Sequence, residues 1–203
     1  MIGIIEKVLV DCLLEAGGDE LREDVFFAAG VPPDRVYRMD QHYPDAETAR
    51  LLQASLAQTN LSEQELFTLF TTRFFAIIDD VFPEFLRMCK SSEDLLRKQI
   101  KIHAIMAGGC RETEDRQQVN DKFQLTDMGP HDIEVRYKSE LQLCLLYETL
   151  MQYAVDRFGD TVVMEKRSCP TGEHGTVYRL RWTAIAGLPT GVQVSEQLVL
   201  RHG

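Results

Sequence analysis

The chain lacks an uninterrupted apolar run near the roughly 20 residues that a membrane-spanning helix needs, so no span is expected. Its start does not read as a secretory signal, because Glu6 and Asp11 break the apolar residues and no basic stretch precedes them. Basic side chains are in the minority: 22 Lys and Arg stand against 32 Asp and Glu, a formal net charge of −10. Such a balance argues against nucleic acid and against an anionic membrane surface, both of which are held by clustered Lys and Arg. The acidity reads instead as solubility. Cysteine pairs are missing too. Cys12, Cys89, Cys110, Cys144 and Cys169 are odd in number, far apart and without a Cys-x-x-Cys spacing. This usage predicts free, mostly buried thiols in a reducing cytoplasm. There is no phosphate-cradling glycine loop and no Gly-x-Ser-x-Gly, and Asp79-Asp80 and Glu112 with Glu114 read as solvated charges. No enzyme is expected.

What is present is patterning. Ile2, Ile5, Leu9, Cys12 and Leu13 share a helical face, and Gly17-Gly18 is expected to end that helix. A second helix is predicted from Glu20 to Ala29, stopped by Gly30. A third runs to about Gln58, with Asp45 as its cap. Ser62-Glu63-Gln64-Glu65 is a capping-box pattern that opens a long helix with a broad apolar face. Pro83 restarts the chain as a short helical turn, and Ser91 or Ser92 caps a further helix carrying His103. After a polar loop over Cys110–Asn120 the period changes. Strands are predicted over Phe123–Met128 and Ile133–Ser139 around Gly129-Pro130. A helix marked by Leu143, Leu146, Leu150, Tyr153 and Phe158 follows. A hairpin of Thr161–Arg167 and Thr176–Trp182 closes the order, joined through Pro170-Thr171-Gly172. Many helices followed by strand-strand-helix-strand-strand make an α+β chain: an N-terminal helical subdomain packed on a C-terminal subdomain with an antiparallel sheet. Residues 1–182 are expected to form this domain, and 183–203 a tail or a linker to an output element.

His103 is the residue most able to carry chemistry. Leu96, Ile100 and His103 fall on one helical face, with Arg97, Lys98 and Lys101 on the polar side. An inward histidine of this kind serves either as a hydrogen-bonded core residue or as a metal ligand, and neutral imidazole is the usual proximal ligand where heme iron binds small gases.

The order of motifs around it resembles one family. The chain opens Met1-Ile2-Gly3-Ile4-Ile5, continues through Tyr43-Pro44-Asp45, Phe74-Phe75 and Phe82-Pro83, then His103, Tyr137-Lys138-Ser139, Leu143-Cys144 and Gly159. This set, from Met1 to about Trp182, resembles the H-NOX (heme-nitric oxide/oxygen binding) domains. The resemblance implies heme b between two subdomains, with a four-stranded sheet in the second. It implies His103 as the axial iron ligand and Tyr137 and Ser139 as partners of the heme propionates. Ile5, Leu9, Phe74, Leu146 and Leu150 would line the distal side. It further implies a sensor for diatomic gas, signalling through its His103 helix to a protein partner or downstream output domain. Because Leu146 stands where oxygen-binding members place a tyrosine, an apolar distal wall is expected, favouring nitric oxide and carbon monoxide over oxygen.

Two positions depart from the family pattern. The motif that in the family reads Tyr-x-Ser-x-Arg ends here in Leu141, which cannot offer the bidentate grip of a guanidinium. The segment before the sheet, Asn120-Asp121-Lys122-Phe123, lacks the proline that bends the porphyrin in relatives. These departures leave open a heme-independent interaction domain, or one for another hydrophobic ligand. Zinc at Cys144, Cys169 and His174 is a further reading, short of a fourth ligand, and Cys110 is a candidate redox thiol.

Overall fold

The computed structural model describes residues 3–39, 41–107, 121–138, 141, 143–169 and 175–186. The chain begins with α1 (Ile4–Ala29), which bends at Gly18, where φ is +70° and ψ −159°. The two helices expected on either side of Gly17-Gly18 are both present within this span, separated by the non-helical backbone of Gly18. Glycine meets that conformation without a Cβ penalty. Then come α2 (Asp45–Thr59), α3 (Glu63–Val81), α4 (Pro83–Arg87) and α5 (Ser92–Ala107). β1 (Phe123–Gly129) and β2 (Asp132–Tyr137) precede α6 (Cys144–Phe158), and β3 (Thr161–Ser168) and β4 (Thr176–Ala184) complete the order. The sheet is antiparallel, in the order β1-β2-β4-β3.

Local chemistry accounts for the boundaries. At α3 the capping box forms in full: Ser62 Oγ accepts the Glu65 N–H at 3.3 Å, and the Glu65 carboxylate accepts the Ser62 N–H at 2.9 Å. Asp45, expected to cap α2, is instead its first residue, and Pro44 stands at the cap. The Asp45 carboxylate turns toward Lys122, 3.7 Å away. The opening motifs meet each other. A Cβ on Gly3 would lie 2.1 Å from the Arg38 carbonyl oxygen and 2.5 Å from the Tyr43 ring, so only glycine fits there. The Tyr43 hydroxyl accepts the Arg38 N–H at 2.9 Å, which holds this loop against the start of α1.

The buried side chains form two cores. One joins α1, α2 and α3 around Leu9, Leu13, Phe26, Leu51, Leu66, Phe67 and Phe70. The other lies on the sheet, around Ile133, Val135, Tyr178, Leu180 and Trp182, with Leu96 of α5. Helix α6 serves both. Its Leu146 and Ala154 belong to the helical core, and its Tyr147 and Met151 to the sheet core. Positions 146 and 147 point about 100° apart on a helix, so one helix can close two layers.

Candidate functional site

Helix α5 is fixed at its N-terminus and carries His103 in its last turns. Ser91 Oγ accepts the Asp94 N–H at 3.1 Å and is the capping hydroxyl. Ser92 does something else: both its N–H and its hydroxyl donate to Asp160 Oδ2, at 2.7 and 2.6 Å, while its Oγ accepts the Trp182 indole N–H at 2.8 Å. Asp160 Oδ1 accepts the N–H of Ala186 at 2.9 Å. Glu93 accepts from Arg97 Nε at 2.8 Å and lies 2.7 Å from His131 Nδ1. The inward face of α5 runs Ser92, Leu96, Gln99, His103. Ile100, expected on it, is 37% exposed. The buried face is turned by one position, so a glutamine precedes the histidine along it.

His103 Nδ1 is buried and has no hydrogen-bond partner. Burial, with a smaller contribution from the positive charge of Lys122, pushes the imidazole down to about 4. The ring is therefore neutral at pH 7, the form that ligates a metal. Phe123 lies against it, with centroids 4.6 Å apart. From there an aromatic series continues. Phe123 and Tyr137 are register partners on β1 and β2 and stack at 4.9 Å. Tyr137 stacks on Tyr147 at 5.1 Å, and Tyr147 meets Tyr178 at 5.2 Å.

The other expected site residues divide between the two cores. Leu9 and Leu146 are buried in the helical core, and Ile5, Phe74 and Leu150 pack against it, so the five distal candidates all belong to the same side of the molecule. Tyr137 belongs to the sheet core beside His103. Ser139 lies outside the described residues, as do Cys110 and His174. Leu141 is partly buried and packs on the helical core. Tyr147, one position from Leu146, is buried on the sheet side, and its hydroxyl meets Gln99 Oε1 of α5 at 3.3 Å. It faces the His103 helix and not the wall formed by Leu9 and Leu146. Cys144 Sγ lies 3.2 Å from Thr176 Oγ1. Cys12, Cys89 and Cys169 are buried thiols. Among the described residues no three His, Cys, Asp or Glu side chains converge as a metal ion needs.

A residue the sequence gives no reason to single out is Glu6. It has no exposed surface. The Thr48 hydroxyl donates to Glu6 Oε1, while Oε2 has no partner. Burial raises its proton affinity above the ordinary value of 4.5.

The residues present fit an iron porphyrin. A neutral imidazole with an orphaned buried nitrogen stands on the sheet side, an apolar wall stands on the helical side, and a tyrosine at the end of β2 is within the same aromatic group. Among the described residues no helix is long and apolar enough to cross a membrane.

No curated protein matches the chain. Solved structures do. An H-NOX protein from S. oneidensis in the Fe(II) ligation state aligns over 93% of this chain and 99% of its own, with 20% identity and a TM-score of 0.71. The Fe(II) unliganded H-NOX protein from K. algicida aligns over 90% of this chain and 96% of its own, at 20% identity and a TM-score of 0.67. An oxygen-binding H-NOX domain related to soluble guanylate cyclases aligns over 91% and 96%, at 15% identity and a TM-score of 0.68. The profile of the family described as Haem-NO-binding matches residues 2–166. With that match over most of its length, and with this helical lobe set on a four-stranded antiparallel sheet, the chain belongs to the Haem-NO-binding (H-NOX) family.

Proposed function

We propose that this chain is a heme-based sensor of nitric oxide, also binding carbon monoxide, with His103 as the protein ligand of the iron. The observation that carries the reading is the neutral, buried imidazole whose Nδ1 finds no partner in the protein. A buried polar nitrogen left unsatisfied costs stability unless a ligand or water completes it. When bound, heme b supplies an iron centre for a diatomic gas. The chain's part is to hold the group and exclude water. His103 ligates from the sheet side, and Ile5, Leu9, Phe74, Leu146 and Leu150 form the apolar opposite wall. Tyr137, with Ser139, offers hydroxyls to the carboxylates. The Tyr147 hydroxyl is engaged by Gln99 on the sheet side, so Tyr147 does not serve as the donor that would favour oxygen. Residues 183–203 would lead to an output element or partner in the cytoplasm.

The test is reconstitution with heme and reduction without air. The parent should take one heme and form complexes with nitric oxide and carbon monoxide, but no oxygen complex that persists in air. His103→Gly should retain less heme, and added imidazole should restore part of the loss. An unchanged spectrum in His103→Gly would refute the ligand assignment. The contact of Phe123 on the His103 ring and the packing of Leu141 in the helical core favour a second reading, a heme-independent interaction domain. A colourless parent that takes up no heme would support it.

A further inference from the structure

Leu141 leaves the motif without its cation, yet a basic side chain already stands at the seam between the two cores. Lys122 immediately precedes β1. Its carbonyl accepts the Lys138 N–H at 2.8 Å, which ties it to the residue after Tyr137, and the next residue, Phe123, touches His103. The side chain reaches the other way. It is 15% exposed, and Nζ lies 3.7 Å from Asp45 Oδ2 at the start of α2. Its charge acts on the proton affinities of His103, Glu6 and Asp45, which belong to both lobes. At 3.7 Å the Asp45 contact is an ion pair longer than a direct hydrogen bond.

We propose that Lys122 is the cation that receives a carboxylate of the planar ligand held against His103, in place of an arginine at position 141. This rests on the porphyrin reading above and specifies the ligand further: a porphyrin with free carboxylates, held from the start of β1 and not from the motif after β2. Asp45 acts as a positioning residue, keeping the ammonium at the seam. A lysine is a point charge and not a planar fork. The grip is therefore single, and it discriminates by charge more than by geometry.

The experiment uses iron-free protoporphyrin IX, so that ligation by His103 contributes nothing, and its dimethyl ester, which has the same ring without the charges. Each is titrated by fluorescence into the parent, Lys122→Met and Lys122→Arg. Lys122→Met should weaken binding of the free acid about ten- to hundredfold, as expected for one charge-assisted hydrogen bond. It should leave the ester unchanged, and Lys122→Arg should recover most of the loss. Equal losses for both porphyrins, or none for either, would overturn the proposal and leave Lys122 as a brace for Asp45. A parent that binds neither porphyrin would overturn the porphyrin reading itself, before any variant is compared. If Lys122→Met fails to fold, Lys122→Gln in an Asp45→Asn background removes both charges together, and the same free-acid-against-ester difference decides.

Discussion

Glu6 has a carboxylate with no exposed surface, one oxygen held by Thr48 and the other by nothing. Burial favours its protonated form, so its folded-state proton affinity lies above the ordinary value of 4.5. The folded state then holds a proton that the unfolded chain releases. The stability linked to it is fully present below pH 4.5 and is lost as pH rises from there through the folded value. Glu6→Gln removes that dependence. Its melting temperature should exceed the parent's at pH 7 to 8, by a margin that shrinks steadily toward pH 4; a margin independent of pH would show that Glu6 has the same proton affinity folded and unfolded. Nothing in the sequence announces this, because a glutamate between Ile5 and Lys7 reads as a solvated position until the second helix covers it. The inward direction of His103 was legible, since it lies seven residues from Leu96 and its Nδ1 is buried. The line between them was not. Ile100 is the more apolar choice, but Gln99 takes the inward position and binds Tyr147.

At the scale of elements, α5 is the informative one. Most helices here could be bounded from caps and breakers, such as the Ser62 box and Gly30, because those signals act within four residues. The anchoring of α5 acts over longer distances: Ser92 is joined to Asp160 and Trp182, which are 68 and 90 residues away. No local pattern could reveal that. Ser92→Ala leaves the indole N–H of Trp182 buried without an acceptor and removes one donor from Asp160. It should cost about 1–3 kcal/mol, read by chemical denaturation. Trp182 is the only tryptophan in the chain. The same variant should therefore shift the intrinsic emission, and unchanged emission with unchanged stability would contradict the hydrogen-bond assignment. Helix α6 was likewise recognised as a helix from its leucines, but not as one shared between two layers. That sharing explains why Leu146 and Tyr147, adjacent in sequence, serve different cores.

Across the whole molecule the two cores meet along α6 and at the seam where Lys122 faces Asp45. Arg157 of α6 reinforces the join with two hydrogen bonds to Asp79 of α3, at 2.8 and 2.7 Å. The α+β order was readable because the hydrophobic period changes from helical to alternating after the loop at 110–120. The placement of Leu141 was not, because it depends on which lobe the turn before α6 leans on. It leans on the helical one. Leu141→Arg, which would rebuild the family motif, therefore puts a charge among apolar side chains. We expect a loss of about 0.5–3 kcal/mol, seen as a lower melting temperature, with no slower transfer of heme to an apo-globin acceptor. Slower transfer at an unchanged melting temperature would show that the new guanidinium reaches a carboxylate.

Asp160 binds both the first turn of α5 and the backbone of Ala186. His103 lies eleven residues beyond Ser92, about 16 Å along the helix axis. Mechanically, α5 is a lever with its fulcrum beside Ala186 and its load at the imidazole. A tilt of about 10° about Ser92 sweeps the His103 end through roughly 3 Å while scarcely displacing the fulcrum. Motion at the ring would thus arrive at Ala186 as torque on one carboxylate, with little translation.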